Sequence, residues 1–229
     1  VGCQIQALRA VEQELGLEKL YILGTPCVDN VSRQGLQKFL DTTSRSPETV
    51  VHYEFMQDFR IHFKHEDGSI EKVPFFGLKT NQLKDVFAPS CMSCFDYVNS
   101  LADLVVGYMG APFKWQWIVV RNQTGKEMLD LVREQLDTQP VMSKGDRHQD
   151  VQQSIPAYDK GVTLAMWGAK LMGVVIEQIG PKGLEYARFS IDSHFTRNYL
   201  NLKRNYPQKL EQHVPEYAKK IVAQYKLPE

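Results

Sequence analysis

The sequence predicts a mixed α/β fold of the α+β kind, and three observations support this class. The chain opens as helix, strand and helix, its middle carries alternating apolar residues around an Asp-Gly turn, and its last part is helical in pattern. With 229 residues, of which 43% are hydrophobic and 24% charged, the chain is long enough for one large domain or two small ones.

The opening predicts a helix, a buried strand and a second helix. Apolar residues recur at helical spacing over residues 5–15, and Gly16 supplies a stop. Residues 19–24 form a short apolar run that indicates a strand, and residues 31–40 have the apolar face of a second helix. This order favours a layered arrangement of helices on a sheet.

The middle of the chain predicts a β-hairpin. Residues 50–55 are apolar and aromatic, and residues 59–63 alternate between apolar and polar side chains. The dipeptide Asp67-Gly68 follows, and apolar residues resume over 70–76. Alternation on both sides of an Asp-Gly turn is typical of paired antiparallel strands.

The rest of the chain is predicted to hold further short elements. These are a short helix at 81–87, strands at 104–108 and 115–121, and a helix at 124–136. Residues 139–160 are polar and interrupted by turn residues, so we predict a linker there. The linker would separate a first part, residues 1–138, from a helical extension over residues 161–229.

Charge and hydropathy exclude some function classes. Lysine and arginine number 27, as do aspartate and glutamate, so the chain lacks the basic excess that nucleic-acid binding requires. We find no secretion signal and no run of about 18 apolar residues that would predict a membrane-spanning helix. The chain begins at Val1, directly before a cysteine motif, and we interpret it as a piece of a longer protein.

The four cysteines are the sharpest chemical signal in the sequence. Cys91 and Cys94 form a C-x-x-C pair whose two thiolates can converge on one metal centre. Cys27 follows a Gly-Thr-Pro turn at the end of a predicted strand, and Cys3 lies at the start of the first helix. A helix N-terminus stabilises a thiolate or an anionic cluster there.

Three other uses of four cysteines compete with an iron–sulfur cluster. A C-x-x-C pair can be a redox dithiol, four cysteines can form two disulfides, and four thiolates can bind zinc. Disulfides are disfavoured in a chain without a secretion signal, and four-cysteine zinc sites usually combine two C-x-x-C pairs. On residue types alone, iron–sulfur and zinc both remain open.

The surroundings of the cysteines resemble a known family. The segments that carry the resemblance are residues 1–9, 23–27, 88–97, 102–112, 118–122 and 180–185. They are similar to the family of deazaflavin-reducing hydrogenase and dehydrogenase β-subunits, and most closely to a photosynthetic branch whose members reduce chlorophyll-type tetrapyrroles. The resemblance assigns residues 1–138 to the family's C-terminal iron–sulfur and flavin domain.

The resemblance implies a ferredoxin-dependent oxidoreductase with FAD and two [4Fe–4S] clusters. Cys3, Cys27, Cys91 and Cys94 would together hold one cluster. The second cluster and most of the flavin site would lie in sequence upstream of Val1, so this chain alone is expected to be inactive. One departure is Gly2, where the wider family usually has proline.

The branch suggests the substrate and the partners. We expect reduction of the 8-vinyl group of divinyl (proto)chlorophyllide, on the similarity of residues 114–125 to the cyanobacterial branch. The alternatives are reduction of 7-hydroxymethyl chlorophyll a, and a non-catalytic module stabilised by a cluster or by zinc. Electrons would come from reduced ferredoxin. Asp103 is a candidate proton donor, with a purely structural carboxylate as the alternative.

The resemblance also suggests assembly and location. Enzymes of this family assemble, so we expect a homo-oligomer. The apolar stretch 161–179 predicts a helix that packs on protein or lies on a membrane surface. The expected location is the cytoplasm or the thylakoid surface of a cyanobacterium-like cell, or the chloroplast in a eukaryote.

Overall fold

Two three-stranded sheets and a C-terminal group of helices build the part of the chain that the structure describes. This is a computed structural model, which describes residues 1–83, 85–160 and 164–228. The helices are α1 (Gly2–Ala10), α2 (Arg33–Thr43), α3 (Gln123–Asp130), α4 (Arg147–Lys160), α5 (Met166–Ile179), α6 (Leu184–Asn205), α7 (Leu210–His213) and α8 (Glu216–Val222). The strands are β1 (Leu23–Gly24), β2 (Val50–Phe55), β3 (Arg60–His65), β4 (Ile70–Pro74), β5 (Leu104–Gly107), β6 (Trp117–Val120), β7 (Ser143–Lys144) and β8 (Lys182–Gly183). The mixed α/β class is confirmed.

The first sheet places the cysteine segments at one end of the molecule. Its strand order is β1-β5-β6, with β1 parallel to β5 and β5 antiparallel to β6. Helix α1 packs on it through Ile5, which shares a core with Ile22, Ala102 and Val105. Strand β1 has only two residues, so the predicted strand 19–24 is present only at its end.

The second sheet contains the predicted hairpin. Its order is β2-β3-β4, antiparallel throughout, and the connection between β3 and β4 turns at Asp67-Gly68. Gly68 has a φ of 81°, which a residue with a side chain adopts only at a cost. Ile61 and Phe63 alternate inward and are fully buried, and Phe39 of α2 covers them. Alternation therefore predicted both the strands and the buried face.

Acid is expected to weaken this sheet through Glu71, a buried carboxylate on β4. Burial raises the pKa of Glu71, but hydrogen bonds from Ser44 Oγ (2.7 Å) and Arg45 (2.9 Å) together hold it below the usual 4.5. The unfolded chain therefore binds this proton first as the pH falls. The stabilisation is complete above pH 4.5 and is lost as the pH falls through the lower pKa of the folded state.

Urea unfolding from neutral pH to below 4.5 measures this effect in the wild type and in Glu71→Gln. The wild type should lose more stability on acidification than the variant, which has no carboxylate at position 71 to protonate. Glu48→Gln, at an exposed position nearby, is the matched control and should keep the wild-type acid response. Equal acid losses in the wild type and Glu71→Gln would contradict the prediction.

The predicted linker, residues 139–160, instead contains strand β7 and helix α4. Val151 and Ile155 on α4 are buried against Leu200 of α6 and Tyr225. The polar composition misled the prediction because α4 fully buries only Val151 and Ile155 among its residues whose burial the structure describes. The division of the chain into two domains stays a prediction.

The C-terminal helices pack directly on the segment that follows the C-x-x-C pair. Phe95 and Tyr97 are buried with Phe195 of α6 and with Val214 and Val222 around α8. The helical extension thus shares one hydrophobic core with the cysteine segment.

Two predicted helices touch residues that lie outside the described part of the chain. The helix predicted at 81–87 includes residue 84, and the described residues before it form a single 3-10 turn, Thr80–Gln82. The helix predicted over 161–179 includes residues 161–163, and its described part contains α5. Among the described residues, none of the helices is long and apolar enough to cross a membrane.

Candidate functional site

Three separate segments bring the four cysteines to one place. Cys3 lies in the first turn of α1, and Cys27 lies in the loop after β1. Cys91 is the first residue of a 3-10 turn, Cys91–Ser93, and Cys94 follows directly after this turn. All four are free thiols; Cys3 is exposed and the other three are partly buried.

The pKa values of the thiols reflect their proximity. The pKa of Cys27 is raised to about 11, mainly by burial and next by the negative charges of Cys91 and Asp29. Burial also raises the pKa of Cys94, and Cys91 and Cys3 act in the same direction. Each cysteine therefore lies within electrostatic reach of others in the set, and a bound cation is what would hold them as thiolates together.

Backbone amides donate hydrogen bonds to two of the sulfurs. The Asn30 N–H lies 3.2 Å from Cys91 Sγ, and the Asp96 N–H lies 3.4 Å from Cys94 Sγ. N–H donors stabilise negative charge on a sulfur and are among the groups that tune a metal–sulfur centre.

Close backbone contacts hold Cys3 in place. A Cβ atom on Gly2 would lie 2.6 Å from Asp96 Oδ2, so only glycine lets the start of α1 approach this loop. The Gln6 amide then donates to the same Asp96 oxygen at 3.0 Å. The glycine that departs from the family's usual proline is therefore explained by the loop beside it.

Similar contacts hold Cys27. Its N–H donates to the Tyr97 carbonyl at 3.2 Å, and Asn99 Nδ2 donates to the Thr25 carbonyl at 2.6 Å. A Cβ on Gly24 would lie 3.0 Å from side-chain atoms of both Ala102 and Asn99. The segment after Cys94 therefore packs against the Cys27 turn and holds it by hydrogen bonds.

The donor set fits an iron–sulfur cluster in its chemistry. Four free thiols, with N–H donors on two of their sulfurs, are the ligands that [4Fe–4S] clusters use. A single tetrahedral zinc ion would need the sulfurs about 4 Å apart, since each lies about 2.3 Å from the metal. Among the described residues, no three His, Cys, Asp or Glu side chains are grouped closely enough to hold one metal ion.

Asp103, the candidate proton donor, is a buried carboxylate with three partners. Its Oδ1 accepts from Arg9 Nη2 and Asn122 Nδ2, both at 2.7 Å, and its Oδ2 accepts from the Ile22 N–H at 2.8 Å. These bonds join α1, the start of β1 and the N-terminus of α3. Such contacts suit a structural carboxylate, and the proton-donor role of Asp103 stays a prediction.

Helix α6 carries a row of polar side chains that was not predicted from the sequence. His194 and Asn198 are buried, and Asn198 Nδ2 donates to the carbonyls of Cys91 (2.8 Å) and Cys94 (2.7 Å). Burial, then the Arg197 charge, lowers the pKa of His194 to about 3, so the ring is neutral and donates to the Cys94 carbonyl at 3.1 Å. Spacings of four and three residues up to Asn201 place this row on one helix face, which was the available signal.

Comparison with known proteins assigns the chain to a family. Residues 1–144 match the family that is described as the C terminus of the beta subunit of coenzyme F420 hydrogenase/dehydrogenase. The chain belongs to this family. The resemblance found in the cysteine segments is therefore confirmed, and the matched residues contain all four cysteines.

Relatives in two photosynthetic organisms align along almost the entire chain. An uncharacterised protein of Nostoc sp. is 86% identical over 229 residues, which are all of this chain and 58% of that protein. The chloroplastic 7-hydroxymethyl chlorophyll a reductase of Oryza sativa is 52% identical, over 98% of this chain and 51% of that protein. The chain thus spans about half the length of these curated relatives.

A solved structure of a hydrogenase complex shares the fold. A chain of the F420-reducing [NiFe] hydrogenase complex from Methanosarcina barkeri superposes with a TM-score of 0.59 at 20% identity, over 95% of this chain and 64% of that one. Among more distant relatives, the beta subunit of coenzyme F420 hydrogenase of Methanosarcina barkeri is 27% identical over 56% of this chain and 44% of that protein. The predicted family fold is confirmed by this likeness.

Proposed function

We propose that this chain is the cluster-bearing part of a flavin and iron–sulfur reductase that acts on a chlorophyll-type tetrapyrrole. The observation that carries the proposal is the gathering of Cys3, Cys27, Cys91 and Cys94 as free thiols from three segments of the chain. The similarity to the rice chlorophyll reductase supports the substrate class.

The cluster would supply single electrons, and a flavin would combine two of them into a hydride equivalent for the substrate. Within this chain, the four cysteines would hold the cluster, while the amides of Asn30 and Asp96 donate to two sulfurs. Asp103 would hold α1, the start of β1 and the start of α3 together through its hydrogen bonds. We propose FAD and reduced ferredoxin as the cofactor and the electron donor of the whole protein.

Two tetrapyrrole groups are candidates for reduction. The similarity of residues 114–125 to the cyanobacterial branch favours the 8-vinyl group of divinyl (proto)chlorophyllide. The name of the rice relative favours 7-hydroxymethyl chlorophyll a. The comparisons do not confirm the preference for the 8-vinyl group, and both pigments belong in the assay.

Anaerobic reconstitution tests the cluster. The chain, incubated with iron and sulfide, should take up about four of each per chain, since one [4Fe–4S] cluster is expected, and should develop the broad visible absorption of sulfide-to-iron charge transfer. Binding of one zinc ion, with no such absorption, would support the non-catalytic module and sink the proposal.

A substrate assay then separates the two reductions. The protein together with any sequence that precedes Val1 in the cell is given reduced ferredoxin and each pigment in turn. Loss of the 8-vinyl group would support the first candidate. Conversion of the 7-hydroxymethyl pigment alone would establish the second, and turnover of neither would contradict the proposed substrate class.

The partners and the location are part of the same proposal. We propose a homo-oligomer that works where the tetrapyrrole is made, in the cytoplasm or on the thylakoid surface of a cyanobacterium-like cell, or in a chloroplast. Helix α5 exposes Trp167, Leu171 and Ile179 and carries the charges of Lys170 and Glu177. These apolar side chains support a contact with protein or with a membrane surface.

A further inference from the structure

The C-x-x-C loop presents five consecutive backbone carbonyls to the C-terminal helices, and each accepts a hydrogen bond from a side chain there. The bonds run from Asn198 to Cys91 (2.8 Å) and Cys94 (2.7 Å), from Asn201 to Met92 (3.0 Å), from His213 to Ser93 (2.9 Å) and from Tyr217 to Phe95 (3.0 Å). All four donors lie beyond residue 144, where the family match ends, and so does His194, which adds a second side-chain bond to the Cys94 carbonyl at 3.1 Å. We refer to these four side chains as the carbonyl clamp.

Asn198 is the best-fixed member of the carbonyl clamp. Arg197 Nε donates to Asn198 Oδ1 at 3.0 Å, which turns the amide NH2 toward the loop. The Arg197 guanidinium also makes a two-point ion pair with Asp29, at 2.7 and 2.9 Å. Asp29 lies two residues after Cys27, so this pair joins α6, which contacts the C-x-x-C loop through Asn198, to the segment of Cys27.

Tyr217 acts on a sulfur through one peptide group. Its hydroxyl donates to the Phe95 carbonyl, and the N–H of the same peptide, that of Asp96, donates to Cys94 Sγ. The C=O and N–H of a trans peptide point in opposite directions. A bond to the carbonyl polarises the peptide and strengthens its N–H as a donor.

We propose that the C-terminal helices complete the cysteine site: Asn198 positions the C-x-x-C loop, and Tyr217 strengthens the N–H···S bond to Cys94. This inference rests on the proposed function, in which the four cysteines hold a cluster. Groups that orient metal ligands are needed for tight binding, and their loss typically costs 10–100-fold in affinity. N–H bonds to sulfur also raise the potential of a cluster, because they stabilise its more negative, reduced form.

Asn198→Ala tests the positioning role. In the anaerobically reconstituted chain, we expect EDTA to remove iron at least about tenfold faster from the variant than from the wild type. The matched control is Thr196→Val, because Thr196 is also fully buried on α6 and its hydroxyl has no hydrogen-bond partner among the described residues. The control should release iron at the wild-type rate.

Tyr217→Phe tests the second part with little risk to folding, since Tyr217 is about half exposed. It removes one hydroxyl, and we expect a more negative reduction potential and an altered electron paramagnetic resonance spectrum of the reduced cluster. Tyr206→Phe is the control, because Tyr206 is similarly exposed and stacks beside Lys209 instead. It should keep the wild-type potential.

The outcomes separate this inference from the proposed function. A wild-type chain that takes up no iron and sulfide would defeat the proposed function itself. A wild-type chain that loads a cluster, with Asn198→Ala iron release and Tyr217→Phe potential both unchanged, would overturn the inference alone. If Asn198→Ala fails to fold, as judged by circular dichroism of the apoprotein, the potential of Tyr217→Phe decides the matter.

Discussion

Cys91→Ala is expected to abolish retention of the cluster. The variant lacks one of the four proposed thiolate ligands. It also lacks the sulfur that accepts the Asn30 N–H at 3.2 Å. Iron and acid-labile sulfide, measured per chain after anaerobic reconstitution and desalting, should fall to near background. Ser93→Ala is the matched control, since Ser93 lies between the two cysteines of the loop and its hydroxyl donates to the Ser90 carbonyl, away from the sulfurs.

The two variants are informative only together. Cluster loss in Cys91→Ala with full retention in Ser93→Ala would show that the Cys91 thiol is a ligand. It would also show that the loss does not come from a change in the conformation of the loop. Full iron and sulfide content in Cys91→Ala would show that Cys91 is not a ligand, and the four-cysteine site would then be wrong.

Asp103→Asn is expected to destabilise the fold by about 1–3 kcal/mol, the usual cost of leaving a buried hydrogen-bond donor without its acceptor. The Asp103 side chain is 3% exposed and pairs with Arg9 at 2.7 Å. The new amide NH2 would face one of three donors, those of Arg9, Asn122 and Ile22, and one of these bonds would become a repulsive contact. Urea unfolding at neutral pH measures the loss.

Asp130→Asn on α3 provides the comparison. Asp130 is exposed and pairs with Lys126 and Arg133, and exposed ion pairs add little to stability, so this variant should unfold close to the wild type. Wild-type stability of Asp103→Asn, combined with loss of tetrapyrrole reduction by the whole protein, would instead favour the proton-donor role.

Local patterns predicted the parts of the fold that depend on local physics. The β3–β4 hairpin follows from apolar alternation on β3 and from a turn whose glycine has a positive φ, and α1 and α2 follow from apolar spacing. Helix α4 was missed because Pro156 and many polar residues hide the narrow face formed by Val151 and Ile155. A helix that buries so few side chains resembles a linker in sequence.

The residues of the candidate site also fall into two groups, those that the sequence predicted and those that it did not. The cysteines were found because their residue type alone indicates metal chemistry, and the surrounding motifs gave the family. Asn198 and Tyr217 were not found, because asparagine and tyrosine are ordinary residues of helices, and only the folded chain brings them to the C-x-x-C loop. The hydrogen bonds of Asp103 likewise come from Arg9 and Asn122, which are distant in sequence.

The carbonyl clamp has a consequence for the order of events during synthesis. Its bonds join residues that are 104 to 122 positions apart, with the C-x-x-C loop always the earlier partner. At typical translation rates, roughly 6–25 s pass between the emergence of Cys94 and that of Tyr217 from the ribosome. Iron and sulfide delivered during this interval meet a loop whose carbonyls lack these side-chain donors, whereas delivery afterwards meets a loop already held in place.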